Sequence, residues 1–285
     1  MTLSISFEVF PPKSADGLDG LRSTVSQLSE VGPAFVSVTY GAGGSDRDRS
    51  FAAIDAVRSE GFDVAGHLTC VGQARSDIDV VIERYAELGV TQIVALRGDP
   101  PGGVDASYQP HADGYQCTAD LVRTIKQRGD FGVAVSAYPE GHPQSPTDDH
   151  DLDVLAEKVA AGADTAMTQM FFDNCQYLRY RDRVQAHGID IPIVPGIFPI
   201  HSFPTVARFA ARCGASIPSR VADRFAGLDD DIDTTQVVAA EIAASQIREL
   251  ATHGVDQVHI YTLNRADLAL AVCQQLGVSP RVVAA

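Results

Sequence analysis

Glu8 is the one charged residue in a run, 3–10, that is otherwise apolar or small and rich in β-formers, and Pro11-Pro12 ends that run at once. Other apolar runs also end in polar residues. Thr39-Tyr40 close 34–40, and His67 and Thr69 close 63–69. Arg97 and Asp99 lie in "LRGDPP" at the end of 91–97, and Tyr138 and His142 lie in "AYPEGHP" after 131–137. Thr168 and Gln169 belong to 164–170, while Tyr261, Asn264 and Arg265 lie in "YTLNRAD" at the end of 257–262. Burying a polar group costs free energy unless it is paired. One such residue would be a satisfied core group, and His67 taken alone reads that way. A polar residue delivered by nearly every run, always at the same end, has no structural use and points to an active site.

The elements that must position this ring follow from the pattern between the runs. The apolar segments 3–10, 34–40, 63–69, 91–97, 131–137, 164–170, 192–197 and 257–262 show little alternation, as parallel strands buried on both faces do. Helix-like stretches separate them: 17–31, 47–60, 76–88, 118–128, 150–161, 174–187, 203–212, 218–226, 233–253 and 265–276. Ser76-Asp77 and the acidic residues Asp149 and Asp151 suit helix N-termini. "AELGVTQIV", "AAGADTAMT", "AHGIDIPIV" and "ATHGVDQVHI" share one grammar, a helix running into Gly and then a strand. About eight such strands in one series without a linker predict a single α/β domain, 1–285. The expected fold is a (β/α)8 TIM barrel with extra helices before the last strand. A doubly wound open sheet is disfavoured by the number of repeats and by the missing G-x-G-x-x-G after the first strand. In a barrel the active site forms at the C-terminal strand ends, where the polar ring lies.

Composition excludes several classes. The formal net charge of -15 opposes nucleic acid and anionic membranes. No apolar run approaches the ~20 residues of a membrane span. Five widely spaced cysteines without C-x-x-C argue against a disulfide framework or a zinc site and for a reducing cytoplasm. The N-terminus lacks the basic and apolar regions of a signal peptide. "GAGGSDRD" shares only its glycine content with a phosphate loop, lacking the Walker spacing and lysine. "GLDDDID" reads as a solvated acidic turn and helix N-terminus, and the histidines show no ligand spacing, so no metal is expected. Lys13, Lys126 and Lys158 are the only lysines and none lies in a strand, which argues against Schiff-base chemistry.

Taken together, "SFEVFPPK", "FVSVTYGAGGSDRDRS", "HLTC", "IVALRGDPP", "AYPEGHP", "AGADTAMTQMFFD", "YLRYRDR", "VPGIFPI", "FAGLDDD" and "IYTLNRAD" resemble, in order and along essentially the whole chain, the 5,10-methylenetetrahydrofolate reductase family. The length is similar to that of the bacterial type, a catalytic barrel without a regulatory domain. The resemblance implies reduction of 5,10-methylenetetrahydrofolate to 5-methyltetrahydrofolate by NADH or NADPH, through bound FAD in most members and without flavin in related barrel reductases. It implies Glu8 as general acid, opening the methylene-bridged ring to an iminium that accepts hydride. Burial beside Phe7 and Phe10 is expected to raise the pKa of Glu8, the direction this role needs. Asp99 would contact the pterin and counter the developing cation. Gln169 and Arg265 would bind folate, and Phe209 and Tyr261 would line the nicotinamide and substrate side. Thr39, His67, Arg97, Gly98, Asp99, Tyr138, His142, Asp151 and Lys158 match positions that hold FAD.

This chain departs from the flavin-dependent pattern at Cys117-Thr118, in the long loop 102–116, and at Val154 and Glu157, where Asn and Arg are the well-known bacterial residues. A glutamate in place of an arginine gives up attraction for a pyrophosphate. Thr205 stands where a Gln is expected. FAD-dependent and flavin-free chemistry therefore both stand at this level. So do two readings outside the family: an unrelated TIM-barrel enzyme and a non-catalytic folate-binding barrel. The expected partners are small molecules. Family members form dimers and tetramers, but no interface is legible in the helices, and neither the nicotinamide preference nor the polyglutamate preference is encoded in a motif.

Overall fold

Strands rich in Val, Ile, Ala and Leu pair in parallel because each is covered on both faces. In the computed structural model, which describes residues 3–14, 16–41, 47–100, 106 and 108–278, the strands are β1 (Ser4–Val9), β2 (Val36–Val38), β3 (Val64–Thr69), β4 (Gln92–Leu96), β5 (Gly132–Ala137), β6 (Thr165–Thr168), β7 (Ile193–Val194), β8 (Gly196–Ile197) and β9 (Gln257–Tyr261). Every pairing is parallel, in the order β7-β6-β5-β4-β3-β2-β1-β9-β8. The nine strands make a nearly closed TIM-type barrel. The predicted seventh strand, 192–197, is two pieces rather than one. Pro195 has no N–H to give a ladder, so the chain switches partners there. β7 pairs with β6 and β8 pairs with β9. The Pro195 carbonyl still accepts from the His259 amide at 3.0 Å.

Among the described residues ten helices surround the strands: α1 (Asp16–Leu28), α2 (Arg47–Ser59), α3 (Arg75–Glu87), α4 (Thr118–Arg128), α5 (Asp148–Ala160), α6 (Asn174–Ala186), α7 (Phe203–Arg212), α8 (Ser219–Ala222), α9 (Ile232–Thr252) and α10 (Ala266–Gln275). The stretch expected as one helix at 218–226 is α8 followed by a 3-10 turn, and α1 likewise ends in a 3-10 turn. Ser76-Asp77 sits inside α3, whose first residue is preceded by Ala74 with no side-chain cap. α5 is capped by Thr147, which accepts from the His150 amide. Asp231, within the acidic "GLDDDID", caps α9 by accepting from the Thr234 amide at 3.0 Å. All five cysteines are free. Among the described residues no helix is long and apolar enough to cross a membrane.

Side chains alternate across each strand, and this sorts the core into layers. The outward residues Val36, Val38, Leu68, Ile93 and Val133 pack under one group of helices. Ile5, Phe7, Val258 and Ile260 pack with residues of α9 and α10 in a second outer cluster. Ala65, Val94, Ala134, Met167 and Val194 form a small apolar cluster of their own. They fill the barrel together with buried polar side chains, Ser6, Ser37, His67 and His259. Residues 42–46 of the glycine-rich loop and 102–105 and 107 of the loop before α4 lie outside the described residues.

Candidate active site

On β1 the alternation turns Ser6 and Glu8 inward and Ile5, Phe7 and Val9 outward. Phe7 is fully buried in the outer cluster, and Phe10 is 42% exposed. The expectation that these two phenylalanines shield Glu8 is therefore corrected: Phe7, one position away on the strand, occupies the other face, and Phe10, past the strand end, is exposed to solvent. Glu8 lies instead on the wall of a cavity of about 580 Å³ at the C-terminal end of the barrel, whose apolar lining includes Leu96, Met167, Phe198 and Leu263. Burial there pushes the Glu8 carboxyl up to about 8.

His67 on β3 brings Nε2 to 3.5 Å from Glu8 Oε2. Burial pulls this imidazole down to about 4, so near neutral pH the two groups meet uncharged. The His67 carbonyl accepts from the Tyr85 hydroxyl at 2.6 Å. Behind His67 runs a chain of polar contacts that the sequence reading did not single out. Ser37 Oγ lies 3.2 Å from His67 Nε2 and 3.3 Å from His259 Nε2, and Ser6 Oγ lies 2.8 Å from His259 Nδ1. Period-2 spacing was the available signal, since Ser6 lies two residues before Glu8, Ser37 two before Thr39 and His259 two before Tyr261.

The cavity collects Thr39, Asp99, Tyr138, Gln169, Phe209 and Tyr261 beside Glu8 and His67. The Tyr261 hydroxyl donates to the Thr168 carbonyl at 2.7 Å. Gly196 makes room for that contact: a Cβ there would lie 2.3 Å from Thr168 O and 2.6 Å from the Tyr261 hydroxyl. Phe198 stands 5.9 Å from both the Tyr261 and Phe209 rings, and Phe209 on α7 is 43% exposed. The Gln169 side-chain carbonyl accepts from the Met170 amide at 2.9 Å.

Arg97, Gly98, His142, Asp151 and Lys158 do not line this cavity but gather beside it. Arg97 donates to Gln144 Oε1 at 2.6 Å and lies 4.9 Å over the Tyr108 ring. The Gln144 amide donates to His142 Nδ1 at 3.1 Å, and the His142 amide donates to Asp151 at 2.7 Å. The His142 ring meets Tyr138 edge-on at 4.8 Å. Lys158, buried in α5, donates to the Ser136 carbonyl at 3.1 Å, and Ser136 lines the cavity. Burial lowers the Lys158 ammonium to about 8, against the pull of Asp151. Gly98 has φ 81°, a conformation that favours glycine, and any Cβ there would meet Val71 at 2.5 Å.

Arg265 is exposed at the start of α10 and lines a separate hollow of about 290 Å³ with His201, Ser202, Phe203 and Phe225. Thr205 accepts from the Ser202 hydroxyl at 3.2 Å. Glu157 is exposed on α5 and Val154 half-buried. Among the described residues no three His, Cys, Asp or Glu side chains form a group that could hold a metal ion.

Residues 1–277 match the family model described as Methylenetetrahydrofolate reductase. The chain is 43% identical over 283 residues to the 5,10-methylenetetrahydrofolate reductase of Pectobacterium carotovorum subsp. carotovorum, an alignment covering 98% of this chain and 92% of that one. It is 41% identical over 279 residues to the protein of the same name in Escherichia coli, again over 98% and 92%. An uncharacterized protein from Clostridium thermocellum, whose solved structure binds two copies of 5-methyl-5,6,7,8-tetrahydrofolic acid, shares the fold with a TM-score of 0.65 at 13% identity, over 96% of each chain. A whole-length family match on a barrel that gathers the polar strand ends around one cavity leads to one conclusion: this chain belongs to the methylenetetrahydrofolate reductase family.

Proposed function

We propose that the protein reduces 5,10-methylenetetrahydrofolate to 5-methyltetrahydrofolate with NADH or NADPH as electron donor. The observation that carries this reading is the Glu8 carboxyl on the wall of the cavity at the C-terminal end of the barrel, where burial raises its pKa. The methylene carbon of the substrate is bonded to two nitrogens. Glu8 gives its proton to one nitrogen, that C–N bond breaks with its electron pair going to nitrogen, and the carbon becomes an iminium on the other. Hydride addition to that carbon yields the methyl group. Asp99 offers a carboxylate near the developing cation. Gln169, Phe209 and Tyr261 bind folate and nicotinamide in the cavity, and Arg265 offers a cation to folate from the neighbouring hollow. Folate recognition is also in keeping with the ligand of the Clostridium thermocellum structure.

The polar group beside the cavity fits FAD in its donor set. Arg97 and Lys158 supply positive charge suited to a pyrophosphate, Thr39 and His142 supply hydrogen-bonding groups, and Tyr138 supplies an aromatic face. His67, Gly98, Asp99 and Asp151 complete the set that would hold it. When bound, FAD supplies a two-electron carrier between nicotinamide and folate. The altered positions Val154 and Glu157 favour a second reading, in which the nicotinamide reduces folate directly. A visible flavin spectrum in the purified protein would exclude the second reading; colourless protein that oxidises NADH with methylenetetrahydrofolate would exclude the first. The reaction itself is tested by folate-dependent oxidation of NADH and NADPH. No folate-dependent oxidation of either would overturn it.

A further inference from the structure

Four hydrogen bonds behind Glu8 have only one arrangement of hydrogens that satisfies all of them. They run from the Val258 carbonyl through Ser6, His259 and Ser37 to His67, the residue that faces Glu8. Ser6 Oγ lies 3.3 Å from the Val258 carbonyl, which only accepts, and 2.8 Å from His259 Nδ1. A hydroxyl has one hydrogen. Given to Val258, it leaves Ser6 Oγ to accept from His259 Nδ1–H. His259 Nε2 is then bare and accepts from Ser37, 3.3 Å away. Ser37, its hydrogen used, accepts from His67 Nε2–H at 3.2 Å. His67 Nε2 also lies 3.5 Å from Glu8 Oε2, an approach longer than an ordinary hydrogen bond, so this hydrogen-bearing edge of the ring is what Oε2 meets. With the opposite polarity Ser6 gives its hydrogen to His259, and the Val258 contact is lost. Ser37 then donates to His67 Nε2, and that ring's N–H, now on Nδ1, no longer faces Glu8.

We infer that this serine–histidine chain is one-way, and that it presents His67 Nε2–H to Glu8 Oε2, so that the acid proton of Glu8 sits on Oε1. The inference rests on Glu8 being the acid and deepens that reading by naming which oxygen acts and what holds it. An oxygen that accepts a hydrogen bond is the carbonyl oxygen of a neutral carboxyl. Once Oε1 has given up its proton, the N–H already faces the new carboxylate and no group has to turn to meet it. Ser6, Ser37 and His259 are positioning residues in this scheme, acting on Glu8 through His67. Both rings are held neutral by burial, His67 at about 4 and His259 at about 3, so each has one N–H and a tautomer to be fixed. The Phe35 ring stacks on His259 at 5.8 Å and Tyr261 meets it edge-on at 5.5 Å, which holds the imidazole in plane for both serines. The ionisable groups that line the cavity with Glu8 are Tyr40 after β2, His67 from β3, Asp99 after β4, Tyr138 after β5 and Tyr261 from β9, with His259 behind Ser37.

The direct test is the nitrogen NMR spectrum of full-length protein carrying ring-labelled histidine at pH 7, with His67→Gln and His259→Gln used for assignment. The expected result is His67 protonated on Nε2 and His259 on Nδ1. Either ring in the other tautomer overturns the inference. Ser37→Ala supplies a kinetic arm, with methylenetetrahydrofolate and NADH as probes. Losing the chain should lower kcat about 10-fold with KM little changed. It should also move the alkaline limb of kcat/KM to higher pH, because a carboxylate with a less well-held donor is a stronger base. An unmoved limb and unchanged kcat in Ser37→Ala overturn the inference even where Glu8→Gln is inactive. If Glu8→Gln keeps full activity while the tautomers are as expected, the role of Glu8 as acid fails and the hydrogen-bond polarity stands.

Discussion

Glu8 and His67 face each other across 3.5 Å as two neutral groups rather than as an ion pair. Two partners this close in water would exchange a proton and attract. Inside the barrel both charged forms are disfavoured by the same burial, so the proton stays on the carboxyl. A carboxyl poised in this way can give its proton to a substrate.

The pH dependence of the reaction should report this directly. Activity needs Glu8 protonated, so kcat/KM should fall as pH rises through about 8. In Glu8→Gln that limb should vanish, with a rate at least ~10²-fold lower and folate binding largely kept. A Glu8→Gln enzyme with an unaltered profile would remove Glu8 from the mechanism.

Stability should carry the same signature with a defined sign. The Glu8 carboxyl rises from an ordinary 4.5 to about 8 on folding. Its contribution is fully present below 4.5 and is lost as pH climbs through about 8. His67 and His259 fall from 6.5 to about 4 and about 3, so theirs is present above 6.5 and lost on acidification. Between pH 6.5 and 8, Glu8 is the member of the trio whose binding of protons differs between folded and unfolded chains. Denaturant titrations over that window should show wild-type stability declining relative to Glu8→Gln, by at most about 1.4 kcal/mol per pH unit. Parallel curves for the two proteins would contradict the assignment.

Gly196→Ala should destabilise the fold by about 1–3 kcal/mol, because the new methyl meets the Thr168 carbonyl and the Tyr261 hydroxyl. Tyr261→Phe should cost about 1 kcal/mol through the lost hydrogen bond. Combining them should not rescue Gly196→Ala, since the nearest clash is with backbone. Thermal unfolding of the three variants decides this, and a double variant as stable as Tyr261→Phe alone would refute it.

Arg265→Ala should raise KM for methylenetetrahydrofolate about 10-fold and leave kcat within about 2-fold, the mark of a contact equal in ground and transition states. Steady-state kinetics at saturating NADH separates the two constants. A fall in kcat without a change in KM would place Arg265 elsewhere in the reaction.

Lys158→Met keeps a long apolar stem in α5 and removes the buried ammonium. If flavin is held beside the cavity, the purified variant should lose visible absorbance relative to wild type while its far-ultraviolet circular dichroism is unchanged. Equal flavin content would detach Lys158 from the cofactor.

The barrel and the polar rim were legible because parallel strands buried on both faces read as continuous apolar runs, and a charge among them stands out. Thr39, His67, Asp99, Tyr138, Gln169, Phe209 and Tyr261 do meet Glu8 around one cavity. Which face each residue takes was not legible from those same runs. That is why Phe7 was expected to shield Glu8, and why Ser6, Ser37 and His259 passed unnoticed; Phe10 is exposed because the strand has already ended at Val9. The outcome at Pro195 was hidden too, since a proline inside an apolar run can mark an edge, a bulge or a break, and tertiary closure sets which. The position of Arg265 in its own hollow depends on how α10 docks, which no local pattern specifies.

The split strand leaves the barrel with a seam. β7 offers two residues to β6 and β8 two to β9, whereas β3 and β4 share five aligned pairs. The Tyr261 hydroxyl reaches from β9 to the Thr168 carbonyl of β6, across the gap the broken strand straddles. In deuterated water the strand amides beside this seam should therefore exchange well before those of β3 and β4, and a ligand that presses on Tyr261 should slow them.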